Sequence, residues 1–216
     1  MKVEIYSDVV CPFCWIGKKQ FEAALEQFEN KDDVEVIYRS FELDKNALVE
    51  NEHDIYDMLA NKYGISRDQA IESNERVAQS GAQVGIDFQI AKSHVTNSFD
   101  AHRLIHFAAR RDLQHEAFEA LHEAYFSDGI HIGQRGELVK IGESLGFDET
   151  EVLAMLESDE YSDQVREDEA RAEQVGVTGV PFFVIDEKYG ISGAQGTENF
   201  LATLDQIAQE KKEQTD

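Results

Sequence analysis

The chain contains two cysteines, and both lie in one short run, Cys11-Pro12-Phe13-Cys14. Any disulfide within the molecule must therefore join this pair. Disulfide stabilisation grows with the logarithm of the loop it closes, so a bridge across four residues gains little as a staple. Reversible chemistry explains the pair better. A thiol at the start of a helix faces unpaired backbone N–H groups and the positive end of the helix dipole, and both favour the thiolate. A second thiol one helical turn later can attack a mixed disulfide on the first and release the reduced substrate. Cys11 is thus the candidate attacking thiol and Cys14 the candidate resolving thiol. The competing reading is half of a zinc site. Structural zinc normally takes four Cys or His ligands, and here only His102 and His106 are spaced to supply the other two. Those imidazoles share a helical face with Leu104 and Ala109 nearby, where a core-edge position explains them, and no metal is expected.

The surrounding elements have to place Cys11 at a helix start. Lys2 to Tyr6 alternate and are rich in β-formers, so they predict a strand leading through the turn Ser7 to Val10 into the cysteines. Pro12 suits the first turn of a helix, whose apolar positions Ile16, Phe21, Ala24, Leu25 and Phe28 recur toward a stop at Asn30. Val34 to Phe41 reads as a second strand. From about Asp44 to Glu173 the pattern is helical, with Ser66 and Gln69 forming a capping box, apolar faces over residues 100–111 and 116–126, and Asp148 with Glu151 opening another helix. After Gly176 come a strand through Pro181 to Ile185, a turn near Asp186 to Lys188, a short strand around Gly190 to Gly193, and a helix capped by Thr197. Phe200, Leu201, Leu204 and Ile207 form that helix's apolar face, and a charged tail from Glu210 to Asp216 is expected to fray. These elements divide the chain into 1–44, 45–173 and 174–216, with a helical insert between two β-containing halves.

A second chemical signal is Gly176-Val177-Thr178-Gly179-Val180-Pro181 before a strand. A cis proline at this place frees the preceding backbone to pair with an extended substrate, and a plain trans proline starting a strand fits the spacing equally well.

Composition narrows the partners. Among 216 residues, 44 acids against 20 bases give a formal charge of −24, which opposes binding to nucleic acid or to anionic membranes. The basic pairs Lys18-Lys19, Arg110-Arg111 and Lys211-Lys212 are too short to reverse that, and the acidity reads as a solvated surface. No apolar run approaches the roughly 20 residues of a membrane span. The first residues lack the apolar core and cleavage site of a secretory leader, so a cytoplasmic protein is expected.

Together, Ser7-Asp8-Val9-Val10-Cys11-Pro12-Phe13-Cys14-Trp15-Ile16-Gly17, Arg39-Ser40-Phe41-Glu42-Leu43, Asn97-Ser98-Phe99-Asp100-Ala101-His102-Arg103-Leu104 and the Gly176 to Pro181 run closely resemble the DsbA-like branch of the thioredoxin superfamily. Within it they resemble FrnE-type proteins, relatives of 2-hydroxychromene-2-carboxylate isomerase and kappa-class glutathione transferase. The resemblance implies an α/β fold in which a thioredoxin fold is interrupted by a large all-helical insertion. It also implies thiol-disulfide oxidoreductase activity on protein or small thiol substrates. Cys11 and Cys14 carry over as the catalytic thiols, and Pro181 as a cis proline with Val180 before it lining the substrate groove. Asn97 and His102 would approach from the helical part. With Pro12, Phe13 and Trp15 beside the cysteines, these are the expected substrate-contacting residues. No cofactor is implied, although glutathione fits as a redox partner. The isomerase and transferase relatives typically carry serine at the position of Cys11, so a thiol there favours disulfide exchange over glutathione-dependent isomerisation. A third reading is a polypeptide-binding module using Phe13, Trp15 and Phe182, with core packing the simpler account of Trp15 and Phe182.

Overall fold

The computed structural model describes residues 1–215. Strand β1, Lys2–Ser7, is followed by helix α1, Pro12–Gln27, and strand β2, Glu35–Ser40. Seven α-helices come next: α2 Ile55–Tyr63, α3 Arg67–Ala82, α4 Phe99–Ala109, α5 Gln114–Glu123, α6 Arg135–Ser144, α7 Glu149–Glu157 and α8 Ser162–Gln174. Strands β3, Phe182–Ile185, and β4, Tyr189–Ser192, and helix α9, Thr197–Thr215, complete the chain. The sheet runs β2-β1-β3-β4, with β1 and β2 parallel and the other pairs antiparallel. This is a thioredoxin fold carrying a helical insertion between β2 and β3.

Local chemistry accounts for the boundaries. Pro12 occupies the first turn of α1, where its missing N–H costs nothing. Ser66 and Gln69 form the reciprocal capping box of α3, and Asp148 caps α7 by accepting from Thr150 N–H. The expectation of a frayed tail is corrected: α9 continues through Thr215, with Asp216 outside the described residues. Its buried stripe, Phe200, Leu204 and Ile207, packs α9 beside α1, so the helix is held by tertiary contact along most of its length.

Alternation along β1 sorts its side chains. Val3 and Ile5 enter the main core, where Phe21 of α1, Phe183 of β3 and Phe200 of α9 meet with ring centroids 4.6 to 5.7 Å apart. Each such buried ring contributes roughly 2–3 kcal/mol. Glu4 and Tyr6 point to the other face, under α8. Tyr6 packs there with Ala172, Val177 and Val184. Glu4 is 1% exposed and is compensated by Arg39 at 2.6 Å and Arg171 at 2.7 Å, while Arg39 also reaches Asp168 at 2.8 Å. The main core continues without a break from the sheet into α4, α5, α6 and α7.

Two side chains finish what the backbone leaves open. Gln114 donates to the Tyr38 carbonyl at 3.0 Å and accepts from the Tyr38 N–H at 3.1 Å, pairing with the outer edge of β2 as another strand would. Arg103, 2% exposed, crosses from α4 to the end of α7 and donates to the carbonyls of Met155 (2.6 Å), Ser158 (2.5 Å) and Glu160 (2.8 Å), as well as to Asp100. It satisfies carbonyls that the helix end cannot. Replacing Arg103 with methionine is expected to lower stability by about 3 kcal/mol, because the carbonyls stay buried without a donor. Urea denaturation checks this, and a loss below about 1 kcal/mol would show that water replaces the guanidinium.

Candidate active site at the start of helix α1

Cys11 is the residue that immediately precedes α1, in extended conformation, and it has no side-chain cap of its own. Its N–H donates to the Asp8 carbonyl at 3.1 Å, and its own carbonyl accepts from Cys14 N–H at 3.0 Å. The thiol donates to the Val180 carbonyl at 3.7 Å, which brings the turn before β3 against the helix start across 169 residues of sequence. The Val180–Pro181 peptide bond is cis. Both thiols are free and nearly covered, at 4% and 2% exposure. Burial, and then the neighbouring Cys11 sulfur, push the Cys14 thiol well above its ordinary range, opposed by the Ser7 hydroxyl and the Asp8 N–H. Cys14 therefore waits as a protonated thiol behind Cys11. Cys11 thus stands in front of the pair and Cys14 behind it.

Gly17 makes the approach of the proline turn possible. A methyl group at this position would come within 3.0 Å of the Pro181 ring and 3.6 Å of Ala194. The Pro181 carbonyl accepts from Gly193 N–H at 2.8 Å, which ties the turn to the end of β4.

The other expected contact residues divide into two groups. Phe13 is exposed, Pro12 and Val180 are half-buried, and Pro181 is buried against α1, so these surround Cys11. Asn97 is half-buried, accepts from Phe99 N–H at 2.8 Å and donates to Glu42 at 3.5 Å. Trp15 and His102 need correction as substrate contacts. Trp15 is 4% exposed and turned inward, stacked on His122 at 5.8 Å and donating through its indole N–H to Glu119 at 3.2 Å. The helical insertion covers it, which is the core-packing account. His102 is fully buried, with Nε2 3.3 Å from Asp8 Oδ1. His106 lies instead 3.1 Å from the Ser40 hydroxyl and 3.2 Å from Asp168, so the two imidazoles serve different partners.

Several residues that shape the site had no assigned role in the sequence. Asp8 is fully buried; its carboxylate accepts from Leu43 N–H at 2.7 Å and faces His102. Burial alone would raise its pKa, but His102, the Leu43 N–H and the Ser98 hydroxyl bring it below the ordinary carboxylate range. Lys18, 2% exposed, is held by Glu22 at 2.7 Å and by Glu119 at 2.6 Å. Against the cost of burial, Lys18 and Lys19 hold Glu119 down at about 2. The available signal for Asp8 was an acid set directly before Val9-Val10 and the cysteines. For Lys18 the available signal was Glu22 four residues on, while its second partner, Glu119, lies 101 residues away.

The DSBA-like thioredoxin domain family matches residues 2–205. The uncharacterised protein YwbO of Bacillus subtilis is 29% identical over 199 residues, covering 92% of each chain. A probable DsbA oxidoreductase from Streptomyces coelicolor is 39% identical, with a TM-score of 0.93 over 97% of this chain and 91% of that one. At 15% identity, the cytosolic disulfide reductase DsbM from Pseudomonas aeruginosa shares the fold with a TM-score of 0.66, over 97% of this chain and 99% of that one.

Two outcomes are expected from this geometry. Gly17→Ala should push Pro181 back by a few tenths of an ångström and slow reaction with a peptide disulfide more than with a small aromatic disulfide; equal rates on both would show that the turn yields freely. His122 is held neutral down to about 4, from an ordinary 6.5, by burial and then by Lys18. Between those values the unfolded chain binds a proton that the native chain does not, so the contribution is complete above pH 6.5 and is lost as pH falls toward 4. The loss is on the order of 3 kcal/mol. His122→Phe should flatten this slope in urea titrations at pH 4.5 and 7, and an unchanged slope would contradict the assignment.

Proposed function

Since the chain belongs to the DSBA-like thioredoxin domain family, we propose that it is a thiol-disulfide oxidoreductase working through a reversible Cys11–Cys14 disulfide. The observation that carries the reading is the order of the two thiols: Cys11 at the helix start against the Val180 carbonyl, and Cys14 behind it, protonated by burial. Cys11 attacks one sulfur of a substrate disulfide, the substrate S–S bond breaks, and the other sulfur leaves as a thiolate while the first stays in a mixed disulfide with Cys11. Cys14 then attacks Cys11, and the substrate leaves as a thiol. In the opposite direction the oxidised pair accepts two electrons from a substrate dithiol. Phe13 and the Val180–Pro181 turn border the attacking sulfur, and thiol- or disulfide-containing proteins and small thiols, including glutathione, are the proposed partners. No resident cofactor takes part in this scheme. A cytoplasmic setting is part of the proposal, in keeping with the cytosolic disulfide reductase among the structural neighbours.

Equilibration in graded glutathione buffers, followed by mass spectrometry of alkylated thiols, tests the reading. A reversible two-electron transition between about −270 and −120 mV is expected, the upper end marking an oxidant and the lower end a reductant. Cys11→Ser should abolish turnover of a disulfide substrate. Full turnover in that variant, or no intramolecular disulfide at any buffer ratio, would overturn the assignment, and activity that survives loss of Cys14 would point to glutathione-dependent isomerisation.

A further inference from the structure

A cleft of about 690 Å³ opens at the outer edge of β2, between the second half of α1 and the turn that joins α4 to α5. Its volume lies within the roughly 300–1,000 Å³ of ligand pockets. The floor is apolar, made by Phe21, Leu25, Val36 and Tyr38, and three carboxylates stand around it, Glu22 and Glu26 from α1 and Asp112 from the turn. Glu22 is held by buried Lys18 at 2.7 Å and by His115 at 3.2 Å, and Glu26 by Lys31 at 2.7 Å. Lys18 also serves Glu119, and Asp112 has no ion pair among the described residues. Burial, and then the charges of Glu22 and Glu119, push the Tyr38 hydroxyl well above its ordinary range, as befits a surface short of cations.

The backbone supplies a second, independent feature. β2 is the last strand on its side of the sheet, and along a parallel ladder alternate residues turn both N–H and C=O to the same side. Glu35 N–H donates to the Met1 carbonyl and Phe41 N–H to the Ser7 carbonyl, so Val34, Val36, Tyr38 and Ser40 face outward. The Val34 N–H donates to the Lys31 carbonyl at 3.1 Å, the Tyr38 N–H to Gln114 at 3.1 Å, and the Ser40 N–H to the Asp168 carboxylate at 2.9 Å. Val36 is the remaining one, and it lines the cleft. Its N–H and carbonyl leave the edge open over a single residue, too short for a whole strand to add but enough for one peptide unit of a guest to pair with.

We propose that this cleft is a docking site for an extended peptide segment of a partner protein, in which a lysine or arginine neighbours an apolar residue. The guest's backbone pairs with Val36, an apolar side chain rests on the floor, and the cation stands among Glu22, Glu26 and Asp112. A neutral apolar guest leaves the carboxylates unanswered, and a simple amine leaves the Val36 pair unanswered; a cationic peptide meets both. A second copy of this chain is a poor occupant, because 44 acids against 20 bases make two copies repel. Glu22 lies eleven residues beyond Cys11, about 16 Å along the helix axis, so a partner is held to the molecule while the sulfur stays uncovered. Docking needs neither thiol and stands apart from the exchange reading.

Titration of the reduced, ¹⁵N-labelled full-length protein with the peptide acetyl-Val-Lys-Val-Lys-Val-amide at low salt, followed by NMR, tests this. The Val36 amide resonance is expected to move downfield and saturate. The double variant Glu26→Gln with Asp112→Asn should weaken binding roughly fivefold, the sum of two exposed ion pairs. Both residues are exposed, so the fold is kept, and Glu72→Gln on α3 should leave the affinity unchanged. No saturable shift at Val36, or equal affinity in the double variant, overturns the proposal. Equal affinity for a peptide with norleucine in place of lysine removes the role of charge, and equal affinity for n-butylamine removes that of the backbone pair; either overturns it too. A Val36 shift that grows with protein concentration in the absence of peptide makes a second copy the occupant and also overturns it. Cys11→Ser should bind the peptide as the wild-type protein does, so failure of the exchange reading would leave each of these outcomes as it is.

Discussion

Four separate parts of the chain are tied together through Asp8. Its carbonyl receives the first N–H of the cysteine turn, its carboxylate receives the N–H of Leu43 just beyond β2, and the same carboxylate faces His102 on α4. The residue belongs to the loop between β1 and α1, so the end of the central strand, the start of the cysteine helix, the exit from β2 and the helical insertion share one buried anion. An anion so far from water persists only where donors surround it, and each donor fixes the element that carries it. The placement of Cys11 at the helix start is thus a result of tertiary structure as much as of Pro12.

Elsewhere the molecule repeats this device. Glu4 with Arg39 and Arg171 locks the sheet to α8, and Glu119 with Lys18 and Trp15 locks α1 to α5. Buried ion pairs are weak sources of net stability because both partners lose water. Their geometry is demanding, however, and the pairs Glu4–Arg171, Arg39–Asp168 and Lys18–Glu119 each join a thioredoxin element to the insertion.

The order of elements was legible from residue patterns because it rests on local physics. Alternation marked β1 and β2, Pro12 marked the start of α1, and the Ser66–Gln69 and Asp148 caps marked two helices of the insertion. The cysteine pair was legible because only two cysteines exist. Trp15 follows the core-packing account that the sequence favoured over a substrate contact, whereas His102, expected from the resemblance to approach the site, is buried against Asp8; α1 and α4 are covered on more than one face, and a single apolar stripe does not tell which face meets solvent. The tail of α9 was expected to fray because its run of charges carries no apolar stripe, whereas the helix continues through Thr215. Asp8 and Glu42 were given no role because their partners lie tens of residues away, beyond the reach of any periodicity.

The Gln114 amide on β2 has a consequence for how the protein behaves when it is damaged. An open strand edge is a template for another chain, and here that edge is plugged by one side chain from α5 instead of by a strand. The plug holds only while α5 is docked. Local opening of the insertion, with the sheet still intact, would bare a ready-made β surface flanked by Val36 and Tyr38. Resistance to aggregation is therefore a property of the helical insertion, even though the sticky element belongs to the thioredoxin sheet.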